Sequence, residues 1–267
     1  MKKKISKFLR TLGLIRIADY IHYLYEFILS RKENVKFKKE NPDVILPPDY
    51  MMYESFQLNY QQYYTESIET AKWLLNYFRK YQELKNIKIL DWGCGPARII
   101  RHFPFLVNNK CEFYGTDYNP DTIEWCKKNI PGITFDKNEL APPMKYENDF
   151  FDIIYGISVF THLSEELHYK WFNELIRVTK PGGVILLTLH GAAFRLKLTD
   201  EETKNFYKGE LIIKSRTRVG HRTFGAFHPP AFIKRLTGQN NVLEHIPGEI
   251  KNGKPQQDVW IIQKSVN

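Results

Sequence analysis

Along the first third of the 267-residue chain, hydrophobic positions recur at the three-to-four-residue period of a helix. Ile5, Phe8, Leu9, Leu12 and Ile15, then Ile21, Leu24, Tyr25 and Ile28, lie between lysines and arginines. They predict an amphipathic helix, or a pair broken near Gly13, in an arm covering residues 1–40. Around residues 31–40 the arm becomes a polar, basic linker, and Pro47-Pro48 follows. Such a helix either docks on the protein's own body or a second subunit, or lies on a membrane with its basic residues at anionic headgroups. From Tyr50 to Tyr64 aromatic and amide side chains crowd together, and Ala71, Leu74, Leu75, Phe78 and Tyr81 then share one helical face. Residues 41–85 read as a helical lid across a binding mouth. Its tyrosines suit a core or a ligand contact equally, and Tyr60 and Tyr64 are the candidates for touching an acceptor.

Beyond residue 86 the pattern changes to alternating strands and helices, as in a parallel doubly wound sheet. An apolar run reaching Leu90 is the first strand and Phe113-Tyr114-Gly115-Thr116-Asp117 the second. Ile133-Thr134-Phe135 is the third, Phe151-Asp152-Ile153-Ile154-Tyr155 the fourth, and residues 184–189 the fifth. Asn119 is placed to cap a helix with Pro120 as its first residue. Ser164 caps another that runs to Thr179 and stops at Pro181-Gly182-Gly183. A polar helical insert, a short strand at 211–213, a helix from Pro229 and strands near Val242 and Val259 complete an α/β domain over 86–267, with an insert at about 191–230.

The chemistry starts at Asp91, which closes the first strand just before Gly93-Cys94-Gly95. Two glycines where a strand turns into a helix let a cofactor touch bare backbone. A carboxylate there repels a pyrophosphate but attracts the sulfonium and ammonium of S-adenosylmethionine. Arg98 also stands where a dinucleotide fingerprint needs its third glycine. Asp117 follows Gly95 by 22 residues, at the end of the next strand, where an acid accepts both ribose hydroxyls of an adenosine cofactor. Both acids therefore fall at adjacent strand ends on one rim of the sheet. With Asp91, Gly93, Gly95 and Asp117 all present, a decayed, merely structural site is disfavoured.

Charge sharpens the partner question. The net charge is +9, yet residues 1–40 hold eleven Lys and Arg against four acids, so the rest of the chain is near neutral. A nucleic-acid partner would call for basic surface around the cleft, and is therefore disfavoured. Cys94, Cys111 and Cys126 form no paired framework, which fits a reduced cytoplasmic interior. Arg10, Arg16, Asp19, His22 and Glu26 interrupt the N-terminal apolar stretches, so neither a secretory signal nor a membrane span is expected.

On these residues the chain resembles the class I, Rossmann-like S-adenosylmethionine-dependent methyltransferases, firmly over 73–189 and loosely beyond. The resemblance is carried by Ile89-Leu90-Asp91-Trp92-Gly93-Cys94-Gly95, Asp117, Asn138-Glu139-Leu140-Ala141-Pro142-Pro143, Phe151-Asp152-Ile153-Ile154, Ser158-Val159-Phe160-Thr161-His162-Leu163 and Lys180-Pro181-Gly182-Gly183. It implies a seven-stranded sheet whose last strand is antiparallel, S-adenosylmethionine as cofactor and S-adenosylhomocysteine as product. It further implies that Asn138, Glu139 and Leu140 hold the adenine, although that loop lacks the family's usual Gly-Asp. Tyr118 would sit beside the ribose acid, and Gly156, Ile157 and Ser158 would border the methionine end.

For the acceptor, Tyr155-Gly156-Ile157-Ser158 replaces the Asp/Asn-Pro-Pro-aromatic motif that goes with nucleobase amines in that family, and no nucleophilic cysteine lies there for pyrimidine carbon 5. An alcohol acceptor needs a base, and histidine is tuned for that near neutrality. His228 is the first choice and His162 the second, with His190 and His221 as neighbours of the acceptor and Arg222 as a fork for an anionic group. The histidine spacing offers no metal-ligand pattern. The expectation is O-methylation of a polar small molecule, a sugar or lipid-linked glycan of the cell envelope, in the cytoplasm and at the inner face of the membrane through residues 1–30. An aromatic-rich lid and a terminal Gln257-Asp258-Val259-Trp260 strand are similar to those of glycan-cluster enzymes. The alternative is an RNA or protein methyltransferase that binds through the basic arm.

Overall fold

The computed structural model describes residues 15–107, 110–214 and 219–266. Helix α1 (Ile15–Glu40) leads into α2 (Asp49–Ser55) and α3 (Tyr60–Tyr81). Then come β1 (Lys88–Trp92), β2 (Glu112–Asp117), α4 (Pro120–Asn129), β3 (Thr134–Lys137), β4 (Phe151–Ile157), α5 (Glu165–Val178) and β5 (Thr179–Leu189). After them run α6 (Asp200–Tyr207), β6 (Ile212–Lys214), β7 (Gly225–Phe227), α7 (Pro230–Thr237), β8 (Asn241–Ile246), a hairpin of β9 (Ile250–Lys251) and β10 (Lys254–Pro255), and β11 (Asp258–Gln263).

Seven strands form one sheet in the order β3-β2-β1-β4-β5-β11-β8, with β11 antiparallel to both neighbours. The chain builds outward from β1 to β3, then returns to lay β4 on the other side of β1. That reversal opens a crevice beyond the carboxyl ends of β1 and β4, where doubly wound sheets bind ligands. Side chains alternate along β1, so Ile89 and Leu90 serve opposite layers. On one face Leu74, Phe78 and Ile123 cover Ile89, Ile153 and Leu186. On the other, Trp171, Leu175 and Phe232 cover Leu90, Ile154 and Ile185. Asn119 accepts from the backbone N–H groups of Asp121 and Thr122, and Ser164 from that of Leu167, which starts α4 and α5 where the caps predict.

Three local expectations are corrected. No long helix follows Gly95; the chain passes through turns, a 3₁₀ segment at Ile100–His102 and one helical turn at Phe103–Leu106. Ala97, at φ +59°, leaves the right-handed region and interrupts helix propagation. The expected linker at 31–40 continues α1, because Asn34 and Phe37 are buried and anchor it. Strand β5 begins at Thr179 instead of 184, since Gly183 and Gly182 exchange backbone hydrogen bonds with Lys264 at 3.0 Å. The pairing of β6 with β7 had no counterpart in the sequence pattern, as three residues carry no measurable alternation. Ile5, Phe8, Leu9 and Leu12 of the predicted arm lie outside the described residues.

Candidate active site

A cavity of about 470 Å³ occupies the crevice. At its floor Asp91 is 3% exposed and accepts a 2.8 Å hydrogen bond from the Tyr155 hydroxyl. Burial raises its pKa to about 7, against the pull of that hydroxyl and of Arg98. Gly93 adopts φ +75°, and a Cβ there would stand 2.5 Å from Val159, so only glycine fits the turn. The N–H groups of Gly93 and Cys94 donate to the Thr116 carbonyl, lashing the loop to β2. Asp117 accepts from Gly95 N–H at 3.0 Å and Asn119 N–H at 2.9 Å, one per carboxylate oxygen. Burial raises this acid's pKa and those N–H donors oppose the rise.

Tyr118, Asn138, Glu139, Leu140 and Ser158 line the same cavity, while Gly156 is set back from it. Its role is to leave room, because a Cβ there would meet the Trp92 ring at 2.8 Å. Asn138 donates to the Glu139 carbonyl at 2.7 Å, and its own side-chain oxygen is buried with no partner. Ser158, at φ +64°, accepts from the Gln257 amide at 2.7 Å and donates its N–H to Thr188 Oγ1 at 2.9 Å.

This donor set fits S-adenosylmethionine. Asp117 retains lone pairs for ribose hydroxyls, the Asn138 oxygen suits an exocyclic amine, and Asp91 suits an ammonium. Arg98, noted in the sequence only for displacing a glycine, also lines the cavity, with its guanidinium 4.2 Å from the Phe56 ring centroid. Its planar fork suits a carboxylate such as that of the donor's amino-acid end. Because Asp91 must ionise to receive the ammonium, affinity is expected to fall below about pH 7, approaching tenfold per unit. Calorimetry in two buffers of different ionisation enthalpy would register the released proton; a pH-independent affinity without proton release would remove Asp91 from this role.

The same cavity is lined by Met51, Glu54, Ser55 and Phe56 from the lid segment and by His162, Gly220, His221 and Arg222. The loop is pinned over the cavity: Gly220 N–H donates to the His162 carbonyl at 2.8 Å and the Tyr118 hydroxyl to the Gly220 carbonyl at 3.1 Å. His162 donates Nδ1–H to the Phe224 carbonyl at 3.2 Å, which leaves the lone pair on Nε2. Burial lowers its pKa, so it is held neutral. His221 Nδ1 lies 2.9 Å from the Thr223 hydroxyl and 3.3 Å from the Thr223 N–H. Arg222 lies 3.9 Å over the Tyr53 ring. Burial raises the pKa of Glu54. In the sequence the tyrosines dominate this segment, and Met51, Glu54 and Ser55 between them carry no pattern that points to a cavity.

Four sequence candidates lie elsewhere. His228 is 1% exposed and outside the cavity wall; it donates Nε2–H to His168 Nε2 at 2.8 Å, while His168 donates Nδ1–H to the Ser164 carbonyl at 2.7 Å. His190 packs on Phe194 with ring centroids 4.1 Å apart and binds the Ala226 carbonyl, so burial pushes its pKa to about 3. Tyr60 is a core aromatic whose hydroxyl donates to Asp49, and Tyr64 packs on His102 at 5.1 Å. In each case an aromatic or imidazole body found apolar surroundings more readily than the cavity wall. Burial holds the His168 pKa at about 4 and that of His228 well below normal, so neither imidazole should titrate near neutrality in nitrogen-15 spectra. Titration of either near pH 6.5 would contradict the buried pair.

The sheet order, the paired acids and the loop between them define a class I, S-adenosylmethionine-dependent methyltransferase domain. Residues 89–183 match the family described as a methyltransferase domain. Over 106 residues the chain is 35% identical to the tRNA (carboxymethyluridine(34)-5-O)-methyltransferase of Arabidopsis thaliana, covering 39% of this chain and 24% of that protein. Over 111 residues it is 25% identical to phthiotriol/phenolphthiotriol dimycocerosates methyltransferase 1 of Mycobacterium ulcerans (strain Agy99), covering 40% and 38%. The chain thus spans well under half the length of these curated relatives. Its fold matches magnesium protoporphyrin IX methyltransferase of Synechocystis PCC 6803, solved with S-adenosylhomocysteine bound, at a TM-score of 0.53 and 14% identity over 81% of this chain and 92% of that one.

Proposed function

We propose that the protein transfers the methyl group of S-adenosylmethionine to a hydroxyl of a polar small molecule, a sugar or lipid-linked glycan of the cell envelope, in the cytoplasm at the inner face of the membrane. The observation that carries this reading is the neutral His162, its Nε2 unprotonated, in the wall of the cavity that also holds Asp91 and Asp117. Bound cofactor supplies a methyl electrophile and leaves as S-adenosylhomocysteine. This chain's residues align the acceptor and take its proton: His162 Nε2 receives it, and the Phe224 carbonyl stabilises the imidazolium through Nδ1–H. Arg222 and Glu54 offer polar contacts to further acceptor groups, and Phe56 and Met51 exclude water. Residues 41–85 thus act as a lid, residues 191–230 as the acceptor insert and residues 1–40 as a membrane arm.

A second reading, RNA methylation, is favoured by the Arabidopsis relative, whose name places its methyl on a tRNA oxygen. The deciding experiment supplies labelled cofactor with envelope sugar nucleotides, lipid-linked glycan intermediates and total tRNA. Label in the glycan fraction supports the first reading. Label in tRNA, with binding that weakens steeply as salt rises, replaces it with the second.

A further inference from the structure

Helix α1 packs on the protein through a mixed side that includes Tyr23, Ser30, Asn34 and Phe37 and turns an apolar stripe outward. On the inner side the Asn34 side-chain oxygen accepts the Tyr60 N–H at 3.0 Å, and Ser30, Asn34 and Phe37 are buried. On the outer side Ile17, Ile21, Leu24 and Ile28 are 59%, 60%, 43% and 71% exposed. Their spacing of four, three and four residues draws one stripe, about 16 Å long at 1.5 Å per residue. Exposed Arg31, Lys32 and Lys36 follow it along the helix. An exposed apolar stripe followed by basic residues is the kind of surface that suits a membrane interface, apolar side down.

The inner side of the same helix reaches the acceptor end of the cavity. Asp19 accepts the Tyr53 hydroxyl at 3.0 Å and lies 3.8 Å from the Arg222 guanidinium, which itself covers the Tyr53 ring. Arg222 lines the cavity. One helix therefore presents apolar surface outward and holds an acceptor-side residue inward.

We propose that the Ile17, Ile21, Leu24 and Ile28 stripe seats in the headgroup region of an anionic bilayer, and that the Asp19–Tyr53–Arg222 contact fixes the acceptor end of the cavity at that surface. A lipid-linked acceptor then keeps its chain in the bilayer while its polar head enters the cavity; this part rests on the glycan reading above. Charge selects the occupant. A second copy would set two arms, each with eleven basic and four acidic residues, against one another, whereas anionic lipid neutralises them.

The test uses the full chain and phosphatidylcholine vesicles with or without phosphatidylglycerol. Wild type floats with the anionic vesicles and less at high salt, and Ile21→Asp with Ile28→Asp lowers the bound fraction about tenfold while its S-adenosylmethionine affinity is unchanged. Failure of wild type to float, or equal flotation of the double variant, overturns the proposal. So does a wild-type dimer that the double variant converts to monomer, since the stripe would then belong to a second copy. Flotation that depends on the stripe, without methylation of any lipid-linked glycan, upholds the docking surface and rejects the glycan reading.

Discussion

Replacing Asp117 with alanine is expected to weaken S-adenosylmethionine binding at least a hundredfold. Two charge-assisted hydrogen bonds to the ribose would be lost, each worth about 1.5–3 kcal/mol. The loss has a structural part as well, because the same carboxylate accepts the Gly95 and Asn119 N–H groups and thereby holds the glycine loop against the start of α4. Asp117→Asn, which keeps an acceptor oxygen at the site, should retain more of the affinity than the alanine variant. Calorimetry on both variants, with circular dichroism to confirm folding, measures the effect. Wild-type affinity in a folded Asp117→Ala protein would show that the ribose lies elsewhere.

His162→Ala should lower kcat by about a hundredfold to ten-thousandfold, the usual contribution of a positioned base, with cofactor affinity essentially retained. Because burial holds the imidazole below its ordinary pKa, the wild-type kcat at saturating cofactor should stay flat through neutrality and decline only on the acid side of about pH 6.5. The direction is fixed: protonation fills the Nε2 lone pair that receives the acceptor's proton. His228→Ala provides the contrast. It leaves the buried His168 Nε2 without its donor, so the melting temperature should fall while turnover per folded molecule persists. A His162→Ala enzyme with wild-type kcat would move the base to another residue, with Glu54 next in the cavity wall.

Much of the sheet was legible because its signals are local. The pair Ile89-Leu90 is apolar on both faces as a central parallel strand must be, and Asp91 and Asp117 each mark a strand end with a carboxylate. Caps such as Asn119 and Ser164 act over three residues and could be placed without knowing the fold. The acceptor end was less legible. His162, His190, His221 and His228 look alike in one dimension, since a buried imidazole and a poised one differ only in their neighbours. His228 finds its partner 60 residues away in His168, and His162 finds its carbonyl 62 residues away in Phe224. Likewise Glu54 and Ser55 reach the cavity only because α2 folds back over the glycine loop, where Ser55 comes within 3.1 Å of a Cβ placed on Gly95.

By itself the order of residues determined the α/β class, the identity of the cofactor rim and the basic, apolar-striped character of the arm, because period, capping and charge act between near neighbours along a strand or helix. Tertiary structure alone decided which histidines line the cavity and which way the arm presents its apolar side. Those outcomes depend on burial and hydrogen-bond partners supplied by segments far apart in the chain, and distance along the sequence carries no information about either.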